Sequence, residues 1–304
     1  MLKISVIIPY YNESDTIKKT LDCLNAQTLL PDEVIFVDSG STDKTSEIIR
    51  DYCNSENKFK IENYSPKLGT PSSSINYGIK QSKYEYIAYV DCGLNIPNKW
   101  LESQARKLLD SDAALVSCSV KTEGINLIDK SFIANTYGYR NKTICLPGSL
   151  ISKSIFDDIG YLKENMRAGY DTDLINRLKA RNYKRKINNE ISLSYYGVNY
   201  AKNFEEGYKK VYQYSLTGWK TSGDYKPHIY TIFFIIGVTA LIYNKFLEFL
   251  FVYLILRLII VTKKAQDIKF ISFYPVIMLT SLVFDISRTF GYFASSKDIL
   301  RKFK

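Results

Sequence analysis

Up to about residue 225, apolar residues come in short runs separated by polar stretches with helical spacing; from His228 onward they merge into three long runs. The first part reads as alternating strands and helices. Lys3 to Ile8 forms a first strand, closed by Pro9, which cannot donate to a ladder. A loop at Tyr10–Glu13 follows, with Ser14 or Asp15 capping a helix to about Gln27. Val34-Ile-Phe-Val37 is an unbroken apolar run of the kind buried on both faces in a parallel sheet, and it stops on Asp38. Ser41 or Thr42 caps the next helix, to about Tyr52, and Asp43 and Glu47 suit its positive N-terminal end. Lys60–Tyr64 is a weaker strand, and the small-residue loop from Leu68 leads into a helix. Tyr86-Ile-Ala-Tyr-Val90 repeats the earlier design and stops on Asp91. Helices are predicted over Pro97–Asp110, Lys153–Ile159 and Asp171–Arg181, and a strand over Ala114–Val120. Lys121 to Asn141 has no clear period. Two strands that each end in aspartate describe a doubly wound sheet with carboxylates converging on one edge.

The long runs are His228–Tyr243, then Phe246–Val261 interrupted by Glu248 and Arg257, and Ile271–Phe284 followed by Asp285 and Arg288. Each is shorter than the ~20 residues of an ordinary membrane span. Helices this apolar would be hydrophobic all round, which a soluble bundle does not need. The expectation is a membrane hairpin from the first two, with the third a span or an in-plane helix. Lys263 and Lys264 on the inner side would leave the N-terminal domain cytoplasmic. The expected division is therefore a catalytic domain over residues 1–225 and membrane-anchoring helices over 226–304.

Composition adds three constraints. The length of 304 residues allows about two domains. The net charge of +10 is scattered among acids, which fits attraction to an anionic cell (plasma or inner) membrane better than nucleic-acid binding. The five cysteines have no CxxC spacing and one histidine to join them, which argues against a zinc site or disulfide framework and for reduced thiols in a cytosolic domain. The apolar run at the N-terminus is too short for a signal peptide and reads as the first strand.

Ligands of open α/β sheets bind beyond the carboxyl ends of the strands, so Asp38 sits where a ligand would be met. Its carboxylate can accept from ribose hydroxyls or a base N–H; the alternative is a loop aspartate that only caps a helix.

The ordered series Val6-Ile-Ile-Pro-Tyr-Tyr-Asn-Glu13, Val34 to Thr45, Gly69…Asn76-Tyr-Gly78, Asp91…Pro97…Trp100-Leu101, Pro147-Gly148…Phe156-Asp-Asp-Ile-Gly160 and Gly169-Tyr-Asp-Thr-Asp-Leu174 resembles family 2 glycosyltransferases of the GT-A fold, over about residues 3–200. The resemblance implies a mixed, mainly parallel sheet with flanking helices, and an inverting transferase that uses a nucleotide-diphosphate sugar. It implies donor contacts from Pro9, Tyr11, Glu13, Asp38, Lys67 and Asn76, with Asp38 on the base or ribose and Glu13 on the ribose hydroxyls. Asp91 matches the first aspartate of the family's Asp-x-Asp element, which places a divalent cation, Mg²⁺ or Mn²⁺, on the diphosphate. Asp171 matches the general base.

This chain departs from the pattern at three places around the presumed metal. The triplet reads Asp91-Cys92-Gly93, the usual glutamate before the base is Tyr170, and Ser194-Tyr195-Tyr196 stands where relatives often carry a histidine. The acceptor implied is a membrane-proximal glycan or lipid-linked molecule. The rival reading is a membrane-tethered nucleotide-sugar binder with weak or no turnover.

Overall fold

All seven residues of the strand Ile4–Tyr10 are buried, and so are all six of Glu33–Asp38, which is why apolar residues follow one another at Val6–Ile8 and Val34–Val37 without alternation. The computed structural model describes residues 2–54, 58–66, 68–136, 138–141, 143–196, 200–265 and 274–300. In chain order the elements are β1 (Ile4–Tyr10), α1 (Ile17–Asn25), β2 (Glu33–Asp38), α2 (Thr45–Cys53), β3 (Lys60–Tyr64), α3 (Pro71–Gln81), β4 (Tyr86–Tyr89) and β5 (Leu94–Asn95). There follow α4 (Trp100–Leu109), β6 (Leu115–Glu123), α5 (Leu127–Asn135), β7 (Arg140–Asn141), β8 (Ser149–Ser152), α6 (Ile155–Ile159), α7 (Tyr170–Ala180) and β9 (Arg185–Tyr196). The chain ends in α8 (Phe204–Ser215), α9 (Lys226–Ile242), α10 (Phe246–Ala265) and α11 (Tyr274–Leu300).

Two compact units form. The first comprises Met1–Lys121 with Lys142–Tyr196, and the second Thr122–Asn141 with Gly197–Lys304. The second unit takes up the stretch whose periodicity is unreadable in the sequence.

The first unit is built on a sheet of order β3-β2-β1-β4-β8-β6-β9-β5. β1, β2, β3 and β4 are mutually parallel, and β8 runs antiparallel to β4 and β6, giving a mixed, mainly parallel sheet. Strand alternation sends Ile4, Val6 and Ile8 to one layer with Leu21, Leu24 and Trp100, and Ile7 to the other with Ile75, Ile79, Leu174 and Leu178. Each such fully buried aliphatic side chain is worth about 1.5–3 kcal/mol.

Pro9 lies within β1, not after it, opposite Val37. Ile7 turns its carbonyl toward β4, accepting from Val90 N at 3.3 Å, and residue 9 points the same way. The missing N–H therefore falls where β4 has already ended at Tyr89, so no bond within the ladder is lost.

In the second unit, Phe132 and Ile133 of α5 pack with Tyr200, Val211 and Phe284. A Cβ on Gly207 would stand 2.1 Å from Phe132 Cζ, so only glycine lets α8 lie this close to the ring. α9 and α10 follow the expected apolar runs, and Ile235, Leu247 and Phe251 are exposed on them. The third run does not stop at Asp285. α11 continues through it because Asp285 is paired: Arg257 Nε lies 3.0 Å away, and the Tyr230 and Tyr253 hydroxyls each donate to it at 2.9 Å. Tyr274–Ser296 is 23 residues long and, among the described residues, the one helix long and apolar enough to cross a membrane. α9, at 17 residues, is shorter.

Candidate active site

The carboxyl ends of β1, β2 and β4 lie side by side. Tyr10 of β1 is in register with Asp38, the last residue of β2, and Ile7 with Tyr89, two residues before Asp91. The loops beyond these ends are laced together. Asn12 N donates to Ser41 Oγ (3.0 Å), Glu13 N to Thr45 Oγ1 (2.8 Å), Ser14 N to Asp43 Oδ2 (3.0 Å), and Thr42 N to Asn12 Oδ1 (2.8 Å). Asn12 bends the chain with a left-handed φ of 54°, a conformation asparagine tolerates. Side-chain bonds between loops thus replace the simple N-caps that Ser14, Ser41 or Thr42 suggest in the sequence, and no capping bond is made at the start of α1 or α2. Asp43 accepts from Ser14 and Thr45, whose donors hold its carboxyl down at about 2.

Asp38 is buried and uses Oδ1 to accept from Gly40 N (3.0 Å) and Ser41 N (2.7 Å), closing the turn after β2. Its Oδ2 accepts no hydrogen bond among the described residues, so one oxygen braces the loop while the other is available. Tyr11, the residue after Tyr10, is 57% exposed, an open aromatic face at the strand ends.

Glu13 is half-buried, and Thr16 donates to its Oε2. Burial pushes its carboxyl up, and the charges of Asp91 and Asp43 add to the push. Asp91 is also raised, by burial and by the charge of Asp171, against the hydrogen bonds of Tyr195 and Tyr89. The buried thiol of Cys145 feels both Asp171 and Asp91 and is pushed up to about 12. Asp91 and Asp171 are thus neighbours although 80 positions apart in the chain. Asp171 lies in the first turn of α7, after Gly169, whose φ of 80° sets the helix entry, and its Oδ1 accepts from Thr172 N at 2.7 Å.

Asp173, two residues on, has a different role. It is fully buried between Lys163 (2.7 Å) and Arg177 (2.8 Å), and Arg177 also holds the Gly160 and Tyr161 carbonyls. This is a clamp between α7 and the preceding loop.

Asn76 does not join the site. It is buried, its Nδ2 donates to Leu162 O (2.8 Å) and Glu164 Oε1 (3.1 Å), and its Oδ1 accepts from Leu162 N (3.0 Å), so its amide is consumed in bracing α3. The donor contact expected of Asn76 is corrected accordingly. Lys67, also expected at the donor, lies outside the described residues.

The residues around Asp91 do not fit a resident divalent cation. One carboxylate oxygen accepts the Tyr89 hydroxyl and the other the Tyr195 hydroxyl. Displacing hydrogen bonds to a charged group costs about 1.5–3 kcal/mol each. Gly93 has a φ of 80°, where a side chain is strained, and a Cβ there would meet Thr16 at 3.4 Å and Glu13 Oε2 at 3.6 Å. Cys92 offers no thiolate, because burial and the nearby Glu13 push it up to about 12. Among the described residues no three metal-ligating side chains cluster. The cation expected at Asp91 is therefore not supported by this donor set. Sequence reading missed the two tyrosines as partners of Asp91. Tyr89 is two residues from it and so shares its strand face, a signal present in the sequence; Tyr195 arrives from β9, which no spacing reveals.

The family model "Glycosyl transferase family 2" matches residues 5–190. An uncharacterized glycosyltransferase of Rickettsia typhi is 31% identical over 191 residues, which is 56% of this chain and 57% of that protein. One from Rickettsia bellii is 29% identical over 200 residues, 62% of this chain and 28% of that protein. The chain thus spans less than two thirds of either relative. Among solved structures, S. aureus TarS 1–349 in complex with UDP-GlcNAc has a TM-score of 0.53 at 16% identity, covering 98% of this chain and 92% of that one. Mannosyltransferase PcManGT from Pyrobaculum calidifontis, in complex with GDP-Man and Mn²⁺, has a TM-score of 0.58 at 14% identity, covering 94% and 87%. Both share the fold. With a family match over more than half its length on a mixed, mainly parallel sheet of this kind, the chain belongs to glycosyl transferase family 2.

Proposed function

We propose that this protein transfers a sugar, with inversion, from a nucleotide-diphosphate donor to a membrane-proximal glycan or lipid-linked acceptor. The observation that carries the reading is that Asp38 and Asp91 stand at the carboxyl ends of parallel strands of one sheet, with Asp171, in the first turn of α7, near enough to act on Asp91. The free oxygen of Asp38 and the exposed ring of Tyr11 suit a nucleoside: the carboxylate accepts from a ribose hydroxyl or a base N–H, and the ring offers a stacking face. Pro9 shapes the turn that carries Tyr11 and Glu13, whose carboxylate accepts from sugar hydroxyls.

Asp171 takes the proton from the acceptor hydroxyl as its oxygen attacks the anomeric carbon. The bond from that carbon to the diphosphate oxygen breaks on the opposite face, which inverts the centre. The UDP-GlcNAc and GDP-Man complexes of the structural neighbours support a nucleotide-sugar donor. The apolar helices of the second unit support action at the cell (plasma or inner) membrane. Lys263 and Lys264, together with the five free cysteines, support a cytoplasmic transferase unit.

The test is donor turnover in detergent with UDP- and GDP-sugars, comparing wild type with Asp171→Asn. A loss of about 10²–10⁴-fold with nucleotide affinity held within about threefold supports the base assignment. Unchanged turnover removes Asp171 from catalysis. Binding without turnover in the wild type across donors and acceptors would leave a nucleotide-sugar binder.

A further inference from the structure

We infer that the Tyr89 and Tyr195 hydroxyls occupy the Asp91 carboxylate in place of a divalent cation, so that this chain engages the donor diphosphate without a protein-held metal ion. The inference rests on the nucleotide-sugar reading above and goes beyond it, because it sets this site apart from a carboxylate pair that grips a cation.

Three independent features of the chain support it. First, both oxygens of Asp91 are committed, one to a hydroxyl from the strand that carries it and one to a hydroxyl from β9. A carboxylate gripped from two sides is fixed in rotamer and has half of its acceptor capacity spent. Second, the residue that would supply a second carboxylate is Gly93, whose φ of 80° strains any side chain placed there. Glu13 Oε2 and the Thr16 side chain lie 3.4–3.6 Å from where a Cβ would be. Thr16 holds that same oxygen of Glu13. Third, the sulfur between them is a buried thiol bonded to Thr20 (3.6 Å) and Thr16 (3.9 Å), and hard cations prefer oxygen in any case. Any cation that travels with the diphosphate is then held by the nucleotide's own oxygens and water. Tyr195 is a positioning residue: it acts through Asp91.

The experiment is titration calorimetry of the detergent-solubilised full chain with UDP and GDP, in EDTA and in excess Mn²⁺, with Mn²⁺ binding followed separately by electron paramagnetic resonance. The expected result is a nucleotide affinity that changes by no more than about threefold between the two conditions, and no stoichiometric submillimolar Mn²⁺ site in the protein. In Tyr195→His, an imidazole ligand replaces the blocking hydroxyl and frees one Asp91 oxygen. Mn²⁺ is then expected to bind and to tighten the nucleotide at least about tenfold. A wild-type affinity that rises tenfold or more with Mn²⁺, or a wild-type Mn²⁺ site abolished by Asp91→Asn, overturns the inference and leaves the transferase reading standing. If neither nucleotide binds in either condition, the donor reading fails. The diphosphate part of the inference falls with it, and the Mn²⁺ titration then decides only whether Asp91 holds a cation: a site lost in Asp91→Asn overturns the hydroxyl occupancy as well.

Discussion

The two units treat charge in opposite ways. In the apolar second unit, a buried charge pair sits in a shared network: Arg257 lies 3.0 Å from Asp285, two tyrosines complete that carboxylate, and Arg257 Nη2 reaches Asn135 at 2.6 Å, which also takes the Ser281 hydroxyl. At the strand ends of the first unit, Glu13 and Asp91 are raised by burial first, and like charge adds to it, from Asp91 on Glu13 and from Asp171 on Asp91. Paired buried charges hold a structure together; acids that repel one another store free energy that a ligand or a proton can release. Asp173 shows that the rule follows environment and not residue type. Two positions from Asp171, it is neutralised by Lys163 and Arg177 and belongs to the structural class.

The largest effect that would break this contrast is at Asp171. Asp171→Asn should lower sugar transfer by about 10²–10⁴-fold while leaving the unfolding midpoint close to wild type, read by turnover and by thermal denaturation on the same preparation. Next come the paired charges. Arg257→Met leaves Asp285 without its cation and should cost about 3–5 kcal/mol of stability, whereas the double change Arg257→Met with Asp285→Leu should recover much of it, measured by unfolding in detergent. Asp173→Asn should destabilise for the same reason, with a shift in the denaturation midpoint as the readout.

A smaller effect lies in pH. Asp43 is held below its ordinary value of 3.8, so its contribution is fully present above that pH and is lost as pH falls toward about 2. Glu13 runs the other way: raised above 4.5, it favours the fold at low pH, and that contribution fades as pH rises through its folded value. Asp43→Asn should therefore flatten the acid limb of stability, and Glu13→Gln should not. The smallest effect is a direct probe of the cluster. In Asp171→Asn, the Asp91 carboxyl should titrate lower than in wild type, observed by carbon NMR of labelled aspartate. No change would mean that the two groups do not interact.

Much of the first unit was legible because its signals are local. β2 and β3 stand where the sequence puts a strong and a weaker strand, and the small-residue loop from Leu68 does lead into a helix, α3, which Thr70 and Ser73 cap reciprocally. The second unit was less legible. α5 has no amphipathic period because its surroundings are the apolar α10 and α11 and not a polar solvent face, with Asn135 bonded to Arg257. Asp285 looked like the end of a helix because its cation is 28 positions away, on α10.

The sequence by itself determined the strand-and-helix order as far as β4, the aspartates at strand ends and the family, because periodicity, turn chemistry and motif order are properties of neighbouring residues. Only the tertiary structure decided which carboxylates meet which partners. Asp38 gives one oxygen to its own turn, Asn76 is spent on Leu162, Asp173 is clamped by cations, and Asp91 is gripped by hydroxyls from two strands. Burial and hydrogen bonding act through space, and a folded chain brings residues 91, 171 and 195 together in a way that no spacing along it encodes.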